Sequence, residues 1–147
     1  MDQTDYNIIN VLNSNARNSY RDIAKKLNIS LSTVANRIKK MEKETIINGY
    51  IPIINQEKIG LDLTVIISLR ISHGKLIEVQ QKISNDKHVF AVYDVTGDWD
   101  SFILAHFKDR RDLNMFIKRV LSIEDVERTN TQIVLNTVKE EKRIIIS

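Results

Sequence analysis

Ser32, Thr33, Asn36, Arg37 and Lys40 recur at a spacing that sets them on one side of a helix, opposite Leu31, Val34, Ile38 and Met41. Their chemistry suits one kind of surface. An amide such as Asn36 can make paired hydrogen bonds to the edge of adenine and a guanidinium such as Arg37 to guanine. The hydroxyls of Ser32 and Thr33 can reach bases or phosphates. Arg21, Lys25, Lys26, Lys39 and Lys43 are placed to touch phosphates and set register. The candidate DNA-contacting set is therefore Arg17, Arg21, Ser30, Ser32, Thr33, Asn36, Arg37, Lys39 and Lys40. The competing reading is a three-helix bundle with a solvated basic exterior.

Other residue types offer less. His73, His88 and His106 are far apart and lack metal-ligand spacing, so no metal site is expected. No nucleophile elbow or phosphate loop is present. Asp94, Asp98 and Asp100 cluster in sequence and could in principle do acid–base work, but a solvated hairpin is the better explanation of them. No catalytic residue is assigned.

Three short helices must position the polar face. Asp2 can cap the first, with Tyr6, Ile9, Val11 and Leu12 as its buried stripe and Asn13-Ser14-Asn15 as its end. Ser19 and Asp22 form a capping box at the start of the second, whose inner face is Ile23, Ala24 and Leu27. Asn28 tolerates the left-handed backbone needed to end it. Ser30 caps the third, and Ile29 can staple onto Val34. Two helices joined by a three-residue turn make a helix-turn-helix. Ile46 to Ile51 then reads as a hinge strand with a bend at Gly49. Pro52 confines it to an edge, and a linker runs to Gly60.

Beyond the linker, strand and helix alternate. Leu63 to Ile71 has the period-two pattern of a strand, and Leu76, Val79 and Ile83 follow at helical spacing. His88 to Thr96 and Trp99 to Phe107 read as strands joined by Gly97-Asp98. Asp109 can cap a helix carrying Leu113, Phe116, Ile117, Val120 and Leu121, and Val126 to Val138 reads as the last strand. The outline is βαββαβ, a ferredoxin-like unit in an α+β protein. Its two helices can cover one sheet face only. Ala91, Tyr93 and Val95 fall on one side by alternation, Phe90 and Val92 on the other. A bare apolar face of this kind predicts a twofold dimer packed sheet to sheet, which would also set two reading helices about one DNA turn (~34 Å) apart on a palindromic site.

The 147 residues carry 22 Lys and Arg against 19 Asp and Glu, and no cysteine. Disulfides and thiolate chemistry are excluded, and a cytoplasmic, nucleoid-associated protein is expected. There is no apolar run long enough for a helix to span a bilayer, and Met1 to Asp5 lack the basic start and apolar stretch expected of a secretory signal. Met1 to Tyr50 holds eight basic and five acidic residues, and the rest holds fourteen of each, so the +3 excess lies in the first third. A basic module joined to a neutral one is what a polyanion-binding protein with a separate second function would show.

Asn15-Ala16-Arg17, Asp22-Ile23-Ala24-Lys25-Lys26-Leu27, Ser30 to Ile38, Ile47-Asn48-Gly49-Tyr50 and Thr96-Gly97-Asp98-Trp99-Asp100 together resemble the leucine-responsive regulator/AsnC family, the feast/famine transcription regulators of prokaryotes. The resemblance implies a (winged) helix-turn-helix over 1–45, a hinge and linker over 46–60, and a ferredoxin-like ligand-sensing and oligomerisation domain over 61–140. A tail follows over 141–147, either a loose end or an extra strand. It implies promoter DNA, self-assembly to dimers and further to tetramers or octamers, and an amino-acid effector as partners, with no other cofactor. In relatives the loop matching Thr96, Gly97, Asp98, Trp99 and Asp100 lies near the effector. Asp98 or Asp100 could there pair with an amino group, amides near Gly97 could receive a carboxylate, and Trp99 could supply an apolar wall. Against this stands a hairpin with solvated aspartates. Ser122 to Val126 departs from the family's Pro-Gly-Val and leaves Asp125 to make the turn. Two alternatives remain: an architectural protein that coats DNA, and a sirohaem-type decarboxylase of the same architecture using His106 with Arg70.

Overall fold

The computed structural model describes residues 1–144 and 146, in two compact units: Met1–Ile53 with Lys139–Ser147, and Ile54–Val138. No helix among the described residues is long and apolar enough to cross a membrane.

The first unit is built on local capping. α1 (Gln3–Ser14) begins at Asp2, whose carboxylate accepts from the amides of Thr4 and Asp5 while the Asp5 carboxylate accepts from the Asp2 amide. α2 (Tyr20–Leu27) has the Ser19–Asp22 box and ends at Asn28 in the left-handed conformation. α3 (Leu31–Lys43) begins at Ser30, which accepts from the Thr33 amide. Each cap satisfies amides that a helix start leaves without partners. Beyond the C-cap Glu44 the chain leaves α3 through Thr45, a β-branched residue with φ of 56°, and the Ile46 amide reaches back to the Met41 carbonyl. Glycine usually fills that position. Ile8, Ile23, Val34, Ile38 and Met41 form the core, with Ile29 packed against it. Two stripe assignments fail. Ile8, not Tyr6, is the buried centre of α1, and Leu31 is 46% exposed because it lies in the first turn of α3, beyond the reach of the three-helix core.

The hinge strand does not form. Residues 46–56 are turn and extended chain, with no ladder hydrogen bonds and no hairpin wing among the described residues. An extended segment becomes a strand only when it bonds to an edge, and residues 46–56 bond to none among the described residues; Pro52 lacks an amide as well. The tail returns to this unit: Asn10 and Asn13 of α1 donate to the carbonyls of Ile146 and Ile144. Of the tail assignments, Ile145 and Ser147 lie outside the described residues.

The second unit is a four-stranded antiparallel sheet in the order β2-β3-β1-β4, from β1 (Leu63–Ile71), β2 (Val89–Asp94), β3 (Ser101–Phe107) and β4 (Val126–Ile133). α4 (Leu76–Ser84) and α5 (Arg110–Leu121, capped by Asp109) pack on one face. Val65, Ile67, Leu69, Ile103, Ala105 and Phe107 meet Val79, Ile83, Leu113, Phe116 and Val120 there. The opposite face carries half-buried Ile66, Phe102 and Leu104, with Tyr93 exposed. Three strand ends shorten. Val126–Val138 stops at Ile133, and β2 and β3 are joined by the six residues 95–100, not by a two-residue turn at Gly97-Asp98. The Val95 amide bonds the Asp100 carbonyl across that loop. A register shift between Val89 and Ala91 sets Phe90 on the helix-free face against His106, with ring centroids 4.2 Å apart, while Val92 packs toward the helices. Simple alternation, which paired Phe90 with Val92, fails at such a bulge because one extra residue is inserted. The turn before β4 closes with the Val126 amide on the Ile123 carbonyl and no left-handed residue at Asp125.

Candidate nucleic-acid interface

α2 and α3 are joined by Asn28, Ile29 and Ser30, so the left-handed Asn28 sets the angle at which α3 leaves the bundle. Val34, Ile38 and Met41 point inward. Ser32, Asn36, Lys39 and Lys40 are exposed, and Lys40 lies 3.9 Å from Glu44. The Ser30 hydroxyl touches those of Ser32 and Thr33 at 2.9 and 2.7 Å, a small cluster of hydroxyls at the α3 start, where free amides favour an anion. Arg17, Arg21, Lys25, Lys39 and Lys43 form no ion pair among the described residues, while Lys26 donates to the Asn18 side chain. Cations left uncommitted in this way are available to phosphates.

Arg37 is the exception. Its Nη1 donates to Asp2 at 2.6 Å and approaches the two Asp5 oxygens at 3.3 and 3.4 Å, so it does not project as a free guanine reader. Asp5 is 3% exposed. The amide of Asp5 and the Arg37 guanidinium hold the Asp2 carboxyl below its usual range, and Asp2 in turn raises the affinity of Arg37 for its proton. Sequence reasoning missed both acids as partners. The available signal was their one-turn spacing at the first helix and the position of Arg37 beside the inward stripe. The Tyr50 hydroxyl donates to Glu42, and burial, then Glu42, pushes it up to about 12.

The loop over Thr96–Asp100 is held from both sides. The Asp100 carboxylate accepts from the Ile71 amide at 2.8 Å and lies 3.5 Å from Arg70, which also donates to the Asp98 carbonyl. Arg128 stacks over Trp99, 4.6 Å from the ring centroid. Asp100 is thus committed to the fold, and Thr96, Gly97 and Asp98 are exposed. Gly97 has φ of 114°, where a side chain would be strained. The cavity of about 490 Å3 in the first unit, lined by Leu12, Ile47, Tyr50 and Arg143 among others, includes none of these loop residues. The three carboxylates form no metal cluster among the described residues. His106 and Arg70 do not come together. His106 sits opposite Thr64 and bonds it, while Arg70 is six positions further along β1, roughly 20 Å away.

A helix-turn-helix with an outward polar face, joined to a helix-backed sheet carrying an exposed loop, defines a two-module regulator. Residues 1–47 match the winged helix-turn-helix DNA-binding model and residues 64–144 the Lrp/AsnC ligand-binding domain model. The chain belongs to the Lrp/AsnC family of transcriptional regulators. It is similar to an HTH-type transcriptional regulator of Pyrococcus abyssi, 46% identical over 98% of each chain. It is 31% identical to the HTH-type regulator Ptr1 of Methanocaldococcus jannaschii, over 99% of each. Among solved structures, Escherichia coli AsnC shares 26% identity and a TM-score of 0.90, covering 96% of each chain. A Neisseria meningitidis regulator solved with L-Met shares the fold, with 24% identity and a TM-score of 0.90 over 98% of this chain and 96% of that one.

Proposed function

We propose that the chain is a dimeric, sequence-reading transcription regulator whose promoter affinity is adjusted by an amino acid held at the Thr96–Asp100 loop, between ligand-binding units in tetramers or octamers. It acts where the chromosome is, in the cytoplasm, and is not an enzyme. The observation that carries the DNA-reading half is the exposed α3 face, where Ser32 and Asn36 stand among unpaired cations. The uncovered sheet face, with Tyr93 and Phe90 exposed, supports the dimer, since a monomer seldom leaves such a patch wet. The family model and the L-Met complex of the Neisseria regulator support an amino acid as effector. A bound effector shifts promoter affinity only by its preference for one spacing of the reading helices.

The test is a binding titration of a selected duplex against a scrambled one across salt. Raising salt from about 50 to about 200 mM weakens both by orders of magnitude if several phosphates are neutralised. Affinities for the two duplexes within tenfold of each other would instead favour an architectural coat. A thermal-shift screen of the twenty amino acids, followed by sedimentation, tests the effector.

A further inference from the structure

We infer that Arg37 is a positioning residue, a clamp that fixes the reading helix α3 on the capped start of α1, and that base reading falls to Ser32 and Asn36. The inference rests on the DNA-reading proposal above and assigns its residues differently from the sequence pattern.

The first argument is angular. Val34, Ile38 and Met41 are buried and define the inward direction of α3. At 100° per residue Arg37 lies about 65° from that direction, whereas Ser32 and Asn36 lie about 155° and 165° from it. Arg37 therefore occupies the flank that passes α1, not the face that meets a groove. The second argument is its partners. One guanidinium nitrogen serves Asp2 at 2.6 Å and Asp5 at 3.3 Å. Asp5 is almost fully buried, and its carboxylate already accepts the Asp2 amide in the capping box. A guanine contact by Arg37 would leave that carboxylate buried without a cation, and a buried charge stripped of its partner is strongly unfavourable. The third is leverage. α1 and α3 are otherwise joined through a small apolar core, so a charged link 35 residues apart in sequence fixes the azimuth of α3 and with it the direction of Asn36.

The experiment compares full-length protein with Arg37→Gln, Asp5→Asn, the double variant and Asn36→Ala. Each is titrated with a duplex selected from a random library and with its scrambled counterpart, and every base pair is scored for preference. Arg37→Gln and Asp5→Asn each weaken the selected duplex about tenfold and the scrambled one less, lowering preference across all the contacted base pairs together and erasing it at none. The double variant, in which two neutral amides can bond in place of the ion pair, recovers most of that loss. Asn36→Ala erases preference at one base pair. The clamp is overturned if Arg37→Gln erases preference at a base pair and the double variant is no better. If Arg37→Gln does not fold, Asp5→Asn decides alone, because unchanged or tighter specific binding there would mean that a released Arg37 reads DNA. A wild-type protein with no preference for the selected duplex brings down the DNA-reading proposal itself. Retained preference with the Arg37 pattern reversed brings down the clamp only.

Discussion

Among the described residues, the first unit holds its shape with five buried apolar residues and the second with thirteen. The smaller unit compensates with polar devices. All three of its helices start on a side-chain cap, two of them reciprocal boxes, and a carboxylate is buried under Arg37. In the second unit α4 starts without a side-chain cap, and burial between sheet and helices carries the fold. A DNA-reading surface must stay polar and thin, so its rigidity comes from directional bonds. A sheet-based unit can rely on bulk.

That contrast can be broken at its centre. Ile67→Ala in the second unit and Ile38→Ala in the first should each cost about 2–5 kcal/mol, since both side chains are fully enclosed. Chemical denaturation followed by DNA binding separates them. Ile38→Ala should abolish binding at moderate temperature, while Ile67→Ala should spare it at low denaturant. Equal loss of binding would mean that the large core also sustains the small unit.

The caps give an intermediate effect. Ser19→Ala should cost about 1 kcal/mol, read as a lowered unfolding midpoint. The Ser19 hydroxyl and amide hold the Asp22 carboxyl below its usual range, as the Asp5 amide and Arg37 do for Asp2. A depressed carboxyl contributes stability above its unfolded value, near pH 4, and loses it as pH falls through the lower folded value. Acid titration should therefore melt the first unit progressively below about pH 4, and Ser19→Ala should flatten that dependence. A smaller change lies at Thr45. Placing glycine at this left-handed position, Thr45→Gly, should raise stability by about 0.5 to 1 kcal/mol, after the greater freedom of glycine in the unfolded chain is deducted. A lowered melting temperature would show that the Thr45 side chain supplies something its backbone geometry does not.

The order of elements was legible wherever its signal was local. Ser19 with Asp22, the left-handed Asn28, Ser30 and Asp109 act within one turn of themselves, and βαββαβ followed from periodicity. Signals that depend on remote partners were not legible. The isoleucines around Gly49 have strand composition, but a strand needs a neighbour. Arg37 has the type of a base reader, but its partners are more than thirty residues away. Asp100 has the type of an amine ligand, but the Ile71 amide and Arg70 already engage it. Residue type proposed the chemistry, and long-range pairing decided which groups were available for it.

The bulge in β2 makes this strand tolerant of a change in length. Phe90 is the inserted residue, with Val89 and Val92 facing the helices on either side of the pair Phe90 and Ala91. Excising Phe90 alone would restore an ordinary ladder and leave both valines packed inward. Excising Tyr93 instead would invert the residues beyond it, and relatives that differ by one residue here should carry the gap at the bulge.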